Sequence, residues 1–355
     1  MVSPNRGSPG LLYTYFTRPS KVQPSVDVRQ LANKRKSNPF MKRSVLLGTA
    51  WLLLLGIGFA CHRNTQEGPE RIAVVVSTLN NPWFVVLAET AAAEARALGY
   101  ETTIFDSQNN TALETDHFEN AISSGYRAIL FNPTDAEGSV SNVVKAANAG
   151  LGVFCMDREV NSDRAASQIL SDNYSGCVSL GKYFVEKMDK KGNYVELLGL
   201  VGDNNTWNRS SGFHSVVDHY PDLKMVAQQS ADFDRNKAME VMESILQVHP
   251  DVDAVFCGND AMAMGAFQAL KAAGLAETVH VFGFDGAADV IEAVEQGNIA
   301  ATAMQFPKVM AETAAQLADQ FIRGETNFIP KLPVDVELVH AGNVHHYAAY
   351  GKSEE

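Results

Sequence analysis

The chain is 355 residues long, with 29 basic and 41 acidic residues and a formal charge of −12. Its first 60 residues hold nine Lys or Arg and one Asp, so the remainder carries 20 basic against 40 acidic residues, a charge of −20. Such a remainder lacks the basic face that neutralises phosphates, which excludes nucleic acid and anionic membrane surfaces as partners. Residues 1–40, rich in Pro, Ser, Arg and Lys, read as a leader outside any folded domain. Met41-Lys42-Arg43 then opens a second basic start, followed by the apolar run Val45 to Ala60. That order of charge, apolar core and small residues is an export signal over 41–60. Cys61 directly after Ala60 is a candidate lipid acceptor, with 61–69 as a tether. Cys155 and Cys257 fall inside apolar strand-like runs, where a free thiol behaves as a small buried hydrophobe.

From residue 71 onward the pattern alternates. Strand-like runs fall at 71–77, 101–106, 128–132, 152–157, 167–171, 194–200, 224–230, 253–258, 279–284 and 300–305. Helical stretches lie between most of them, including 83–98, 112–124, 137–149, 174–190, 235–247, 260–273, 287–296 and 308–323. Glycines punctuate many helix ends, as at Gly99 and Gly324. Alternation of this kind predicts parallel sheets covered by helices. Ten strands exceed one open sheet, and the pattern divides near Asn173 into two similar halves. The fold class is therefore α/β, with two doubly wound lobes and a cleft between them.

Polar side chains gather just after the strands, where open α/β folds bind ligands. Asn80, Asn81, Pro82, Trp83 and Phe84 follow the first strand; Pro82 suits a first helical position and either amide can cap it. Asn132, Asp157-Arg158, Asn259-Asp260, Asp285 and Gln305 each follow a later strand, and Arg209 lies early in the helix after the 194–200 strand. Asp and Arg can each hold two neighbouring hydroxyls, and Asn and Gln both donate and accept. Trp83, Phe84 and Phe233 offer ring faces to C–H groups, with Trp207 as a further aromatic. Together these describe a neutral polyhydroxylated ligand. Taken singly, a strand-end Asp is as often a helix cap, an aromatic at a helix start is more often core than ligand contact, and Asp260 is read as structural.

Motifs for catalysis are missing from the sequence. No G-x-G-x-x-G follows the first strand, and there is no phosphate-binding lysine loop, G-x-S-x-G or H-E-x-x-H. His340, His345 and His346 cluster in a polar tail and are not read as a metal site. No enzyme activity and no cofactor are expected.

Several motifs resemble the periplasmic sugar-binding proteins of bacterial ABC importers, and within them the ribose-binding branch. They are Val-Val-Ser-Thr-Leu-Asn-Asn-Pro-Trp-Phe at 75–84, Phe-Asp-Ser-Gln-Asn-Asn at 105–110, Asn-Pro-Thr-Asp at 132–135, Asp157-Arg158, Ser-Asp-Asn at 171–173, Ala-Asp-Phe-Asp-Arg at 231–235, His-Pro-Asp-Val at 249–252, Asn259-Asp260 and Gly-Phe-Asp-Gly at 283–286. The resemblance implies two Rossmann-like lobes (periplasmic binding protein type I) joined by three crossings near Asn173, Gln305 and Asp335. One lobe would comprise 70–172 with 306–334, the other 173–305 with 335–345, leaving 346–355 as a tail. Sugar contacts would fall on Asn81, Phe84, Asp157, Arg158, Arg209, Phe233, Asn259, Asp285 and Gln305, with Ser77 and Asn132 in support. This chain departs from the ribose pattern at Trp83, where that branch has Phe, and in the residues preceding Arg209, which include Trp207. Both departures enlarge aromatic surface and point to D-ribose, another pentose or a polyol.

The expected protein is thus an exported, monomeric solute receptor. It would deliver its sugar to an ABC permease and meet the membrane only through a lipid on Cys61. The alternative is a sensor that presents its closed form to a chemoreceptor or kinase.

Overall fold

The computed structural model describes residues 69–353. The expected leader, the export segment and Cys61 lie outside the described residues.

The first apolar run forms β1 (Arg71–Val76), buried along nearly its whole length. It pairs in parallel with β2 (Glu101–Asp106) on one side and β3 (Ala128–Phe131) on the other. Parallel pairing continues through β4 (Gly152–Met156), β5 (Ser167–Ser171) and β11 (Lys331–Val334). The order is β11-β5-β4-β3-β1-β2. Central strands are continuously apolar because helices cover both faces. The edges are polar: β2 reads Glu-Thr-Thr-Ile-Phe-Asp, and β11 carries Pro333, a residue that cannot donate to a further strand.

Helices α1 (Pro82–Ala97) and α9 (Pro307–Ile322) cover one face of this sheet, and α2 (Thr111–Ser123) and α3 (Val140–Asn148) the other. Leu87, Ala91, Met310 and Ala314 pack on Ile72, Val74, Leu130 and Phe154. Phe118 and Val143 pack on Val75, Ile129 and Phe131. Helix α3 starts three residues later than the periodicity predicts. Asp135 explains this, because its Oδ1 accepts the backbone N–H groups of Glu137 and Gly138 and holds a turn there.

The second sheet is built from β6 (Gly192–Leu198), β7 (Leu223–Ser230), β8 (Ala254–Cys257), β9 (His280–Asp285), β10 (Ala301–Met304) and β12 (Glu337–His340), in the order β12-β10-β9-β8-β6-β7. All pair in parallel except β12, which runs antiparallel to β10. Helices α4 (Asn173–Lys187) and α5 (Asn204–Val217) cover one face through Phe184 and Phe213, the latter stacked on Phe256 with centroids 4.1 Å apart. On the other face lie α6 (Arg235–Val248), α7 (Asp260–Ala272) and α8 (Ala288–Glu295). Cys155, Cys177 and Cys257 are free and buried, as the strand reading of two of them implied.

Three crossings join the lobes: β5 into α4 at Ser171–Asn173, β10 into α9 at Gln305–Pro307, and β11 into β12 at Val334–Glu337. Both sheets therefore point their carboxyl ends at one cleft.

The sequence reading of 346–355 as a tail is corrected. A 3-10 turn (Val344–His346) leads into β13 (Tyr347–Ala348) and β14 (Gly351–Lys352), which pair antiparallel. Tyr350 is buried, and its ring together with the Tyr347 and Lys352 contacts to Glu337 holds a short hairpin that composition alone marks as polar.

A candidate ligand site between the lobes

The end of β1 is shaped by helix capping. Asn81 Oδ1 accepts the Trp83 N–H at 3.0 Å and Pro82 occupies the first turn of α1. The cap uses the amide oxygen and leaves the amide nitrogen for the cleft. Asn259 caps α7 in the same way, its Oδ1 accepting the Met262 N–H at 2.9 Å, while its amide nitrogen at the cleft also donates to Phe233 O at 3.5 Å. Cap and contact are thus not competing readings, since one amide can serve both.

Asn81, Trp83, Phe84, Asp157, Arg158, Arg209, Phe233, Asn259, Asp285 and Gln305 all line one cavity between the lobes, with Asp203 and Asn205 completing the wall. Ser77 and Asn132 lie just beneath it. Asn132 Oδ1 accepts the Ser77 hydroxyl at 2.6 Å, and its amide nitrogen donates to Met156 O at 3.0 Å and to Asp157 Oδ2 at 3.2 Å. They orient Asp157 from below the cavity wall.

Trp207 is not brought to the cavity. It is 47% exposed, and its indole N–H donates to Val201 O at 3.0 Å. The reason is helical phase: Asn205 and Arg209 are four residues apart on α5 and share a face, while Trp207 between them points away. The same phase, counted back from Arg209, is the signal in the sequence that would have found Asn205. Asp203 was findable as the cap of α5, since its Oδ1 accepts the Asn205 N–H at 2.9 Å.

Two buried arginines organise the polar groups. Arg158 Nε lies 2.6 Å from Asp203 Oδ2, across the cleft, and its guanidinium sits 4.9 Å from the Phe84 ring centre and 5.9 Å from that of Phe233. Arg209 donates through Nε to Asn173 Oδ1 and through Nη1 to Gly258 O, both at 2.7 Å, with Asp285 Oδ1 3.6 Å away. Its guanidinium rests on Phe284 at 3.9 Å. Gln305 Nε2 donates to Asp285 Oδ1 at 2.7 Å. Asp260 stays outside this set: it accepts from Gly286 N, Ala287 N and the Thr302 hydroxyl, and so shapes the loop after Asp285, in line with the structural reading.

The lobes are closed on one another. Ala136 N donates to Gly202 O at 3.0 Å, and Asn204 bridges to Asn161 at 2.9 Å and to Glu159. Asn205 Nδ2 reaches Asp157 O at 3.2 Å and Oδ1 at 3.3 Å, while Asn173 holds Asn205 Oδ1 at 3.0 Å. A wider mouth lined by Asn80, Asn109, Asp232, Arg235 and Asp289 adjoins the cavity through Asn81, Phe84, Arg158 and Phe233.

Backbone strain concentrates here. Asp157 has φ +66°, Phe233 +60° and Asp285 +132°, a region that non-glycine residues rarely occupy away from functional sites. Gly199 makes room for Phe233, because a Cβ there would run into the ring. Burial pushes the Asp157 carboxyl up to about 7 against the opposing pull of Arg158 and Arg209. Burial likewise holds Asp285 well above the usual carboxylate range despite Arg209.

Paired carboxylates, guanidinium groups and amides beside ring faces, enclosed by two hinged lobes, define a clamp for a small polar solute. Residues 72–326 match the periplasmic binding protein domain family, and the chain belongs to it. It is 40% identical over 304 residues to a D-apiose import binding protein of Paraburkholderia graminis, covering 85% of this chain and 96% of that one. It is 41% identical over 271 residues to the ribose import binding protein of Escherichia coli, covering 76% and 90%. Among solved structures, an ABC transporter solute-binding protein from Bacillus halodurans with bound myo-inositol superposes with a TM-score of 0.74 at 28% identity, covering 79% of this chain and 98% of that one.

Proposed function

We propose that this protein captures a pentose-sized sugar between its lobes and delivers it to the permease of an ABC importer. One observation carries the reading: twelve side chains from both lobes and a crossing converge on a single cavity, most of them hydroxyl-binding polar groups beside ring faces. Asp157 and Arg158 would hold hydroxyls from the first lobe, Arg209, Asn259 and Asp285 from the second, and Gln305 from the crossing. Phe84 and Phe233 would pack on the ring faces. An open form presents only half of these contacts at a time, so a sugar that touches both lobes favours the closed state by its differential affinity.

The relatives named for ribose and D-apiose support an aldopentose. Trp83 and the Asp203–Asn205 pair alter the wall on both sides, and a branched or furanose pentose fits the reading as well as ribose. Export through 41–60 and anchoring at Cys61 complete it, and an intact mass of the mature protein checks both. Calorimetric titration with D-ribose, D-apiose, other pentoses, pentitols, D-allose and myo-inositol tests the ligand. Saturable binding of an aldopentose is expected. The absence of saturable binding across the whole panel would overturn the proposal.

A further inference from the structure

The three crossings are not the only places where the lobes are tied. We propose that the C-terminal hairpin Tyr347–Lys352 is a fourth inter-lobe tie, and that Tyr350 is a positioning residue for the binding cleft. The inference rests on the sugar-binding reading for its ligand arm alone.

The base of the hairpin belongs to the second lobe. Tyr347 Oη donates to Glu337 Oε2 at 2.7 Å, Lys352 Nζ lies 2.9 Å from Glu337 Oε1, and Tyr347 packs against the second-lobe core. Its tip reaches the other lobe as well. Tyr350 is only 7% exposed and lies in the first-lobe apolar cluster that contains Trp83 and Phe84, with Ala287 at its margin. Tyr350 N donates to Gly286 O at 2.9 Å, one residue beyond Asp285. Its side chain therefore joins the buried cluster of the first lobe while its own backbone pins the carboxylate loop of the second.

Tyr350 holds this place in an unfavourable backbone conformation, φ +57°. A bulky residue stays in that region only where its surroundings impose it. Burial and the nearby Asp285 and Asp260 carboxylates raise the phenol pKa, which agrees with the ring lying behind the Asp285 loop. Cleft opening must separate Trp83 from the Asp285 loop. It therefore either drags the hairpin along or pulls the Tyr350 ring out of the first lobe, exposing a large apolar face to water. Either route limits the opening and biases the empty protein toward closure.

Spin labels at Asn109 and Asn236, exposed on opposite sides of the cleft mouth, report lobe separation in the full chain on a Cys61→Ser background. Without sugar, wild type should give a short, narrow distance. Tyr350→Ala should broaden it toward longer distances, and Tyr350→Phe, which keeps the buried ring, should restore it. A chain ending at His346 should behave like Tyr350→Ala. If it fails to fold, the two point variants decide the matter. Aldopentose affinity should fall about tenfold in Tyr350→Ala, as expected when the competent population drops tenfold. Unchanged distances in Tyr350→Ala would overturn the proposal, as would a Tyr350→Phe protein as open as Tyr350→Ala. The distance measurement needs no ligand, so it decides the tie even if the protein binds no sugar.

Discussion

Asp157 is held for binding at the expense of stability, and Asp157→Asn should expose the trade. In the folded protein burial raises its carboxyl from 3.8 to about 7. The folded state thus binds a proton that the unfolded state has released between those values. By linkage, the contribution of Asp157 is fully present below about pH 4 and is lost as pH rises through about 7. Relative to a residue that does not ionise, the carboxyl disfavours folding by roughly 1–2 kcal/mol at pH 5 and roughly 4 kcal/mol at pH 8. Asn cannot replace both acceptors, since Oδ2 takes the Asn132 amide and Oδ1 the Asn205 amide. One lost bond subtracts about 1 kcal/mol at every pH. The advantage of the variant should therefore grow by roughly 3 kcal/mol from pH 5 to pH 8. Urea unfolding of sugar-free wild type and variant across that range measures it, and the difference cancels the other titrating groups. Sugar affinity of the variant should fall by about tenfold or more at pH 8, because a charge-assisted hydrogen bond is worth about 1.5–3 kcal/mol. A stability difference that stays constant from pH 5 to pH 8 would refute the reasoning.

Gly199→Ala should push Phe233 out of the cavity wall; sugar binding should weaken about tenfold or more while circular dichroism stays unchanged, for a misplaced contact costs roughly 1–3 kcal/mol. Asp203→Ala strips Arg158 of a partner 2.6 Å away, so calorimetry should show a loss of roughly 2–5 kcal/mol in sugar affinity, and an unaltered affinity would remove Asp203 from the site. Trp207→Ala should leave affinity within about twofold of wild type, since the ring is exposed and bonded to Val201 O.

Much of the fold was legible before any coordinates. Most central strands carry an apolar run of four or five residues closed by polar groups, and such runs are buried on both faces in a parallel sheet. Asn81, Asp157, Asn259, Asp285 and Gln305 were visible for the same reason: strand ends in this architecture face one cleft. The errors share a cause as well. Trp207 and Asn205 are two residues apart, and the aromatic drew the reading while the amide lines the wall. The hairpin within 346–355 was not legible because Tyr350 is the one deeply buried side chain among its described residues, and a single position makes no periodic pattern.

The sequence by itself determined the local structure and the chemistry of the site, because periodicity, caps and strand-end polar residues are near-neighbour properties of the chain. Only the tertiary structure decided which groups meet across the lobes. Arg158 with Asp203, Asp157 with Asn205, and Tyr350 with the cluster of Trp83 are brought together from 45 to 267 positions apart. No local pattern encodes such pairings. They follow from where three crossings place two separately folded sheets, and from the strain that Asp157, Phe233 and Asp285 accept once closure fixes them.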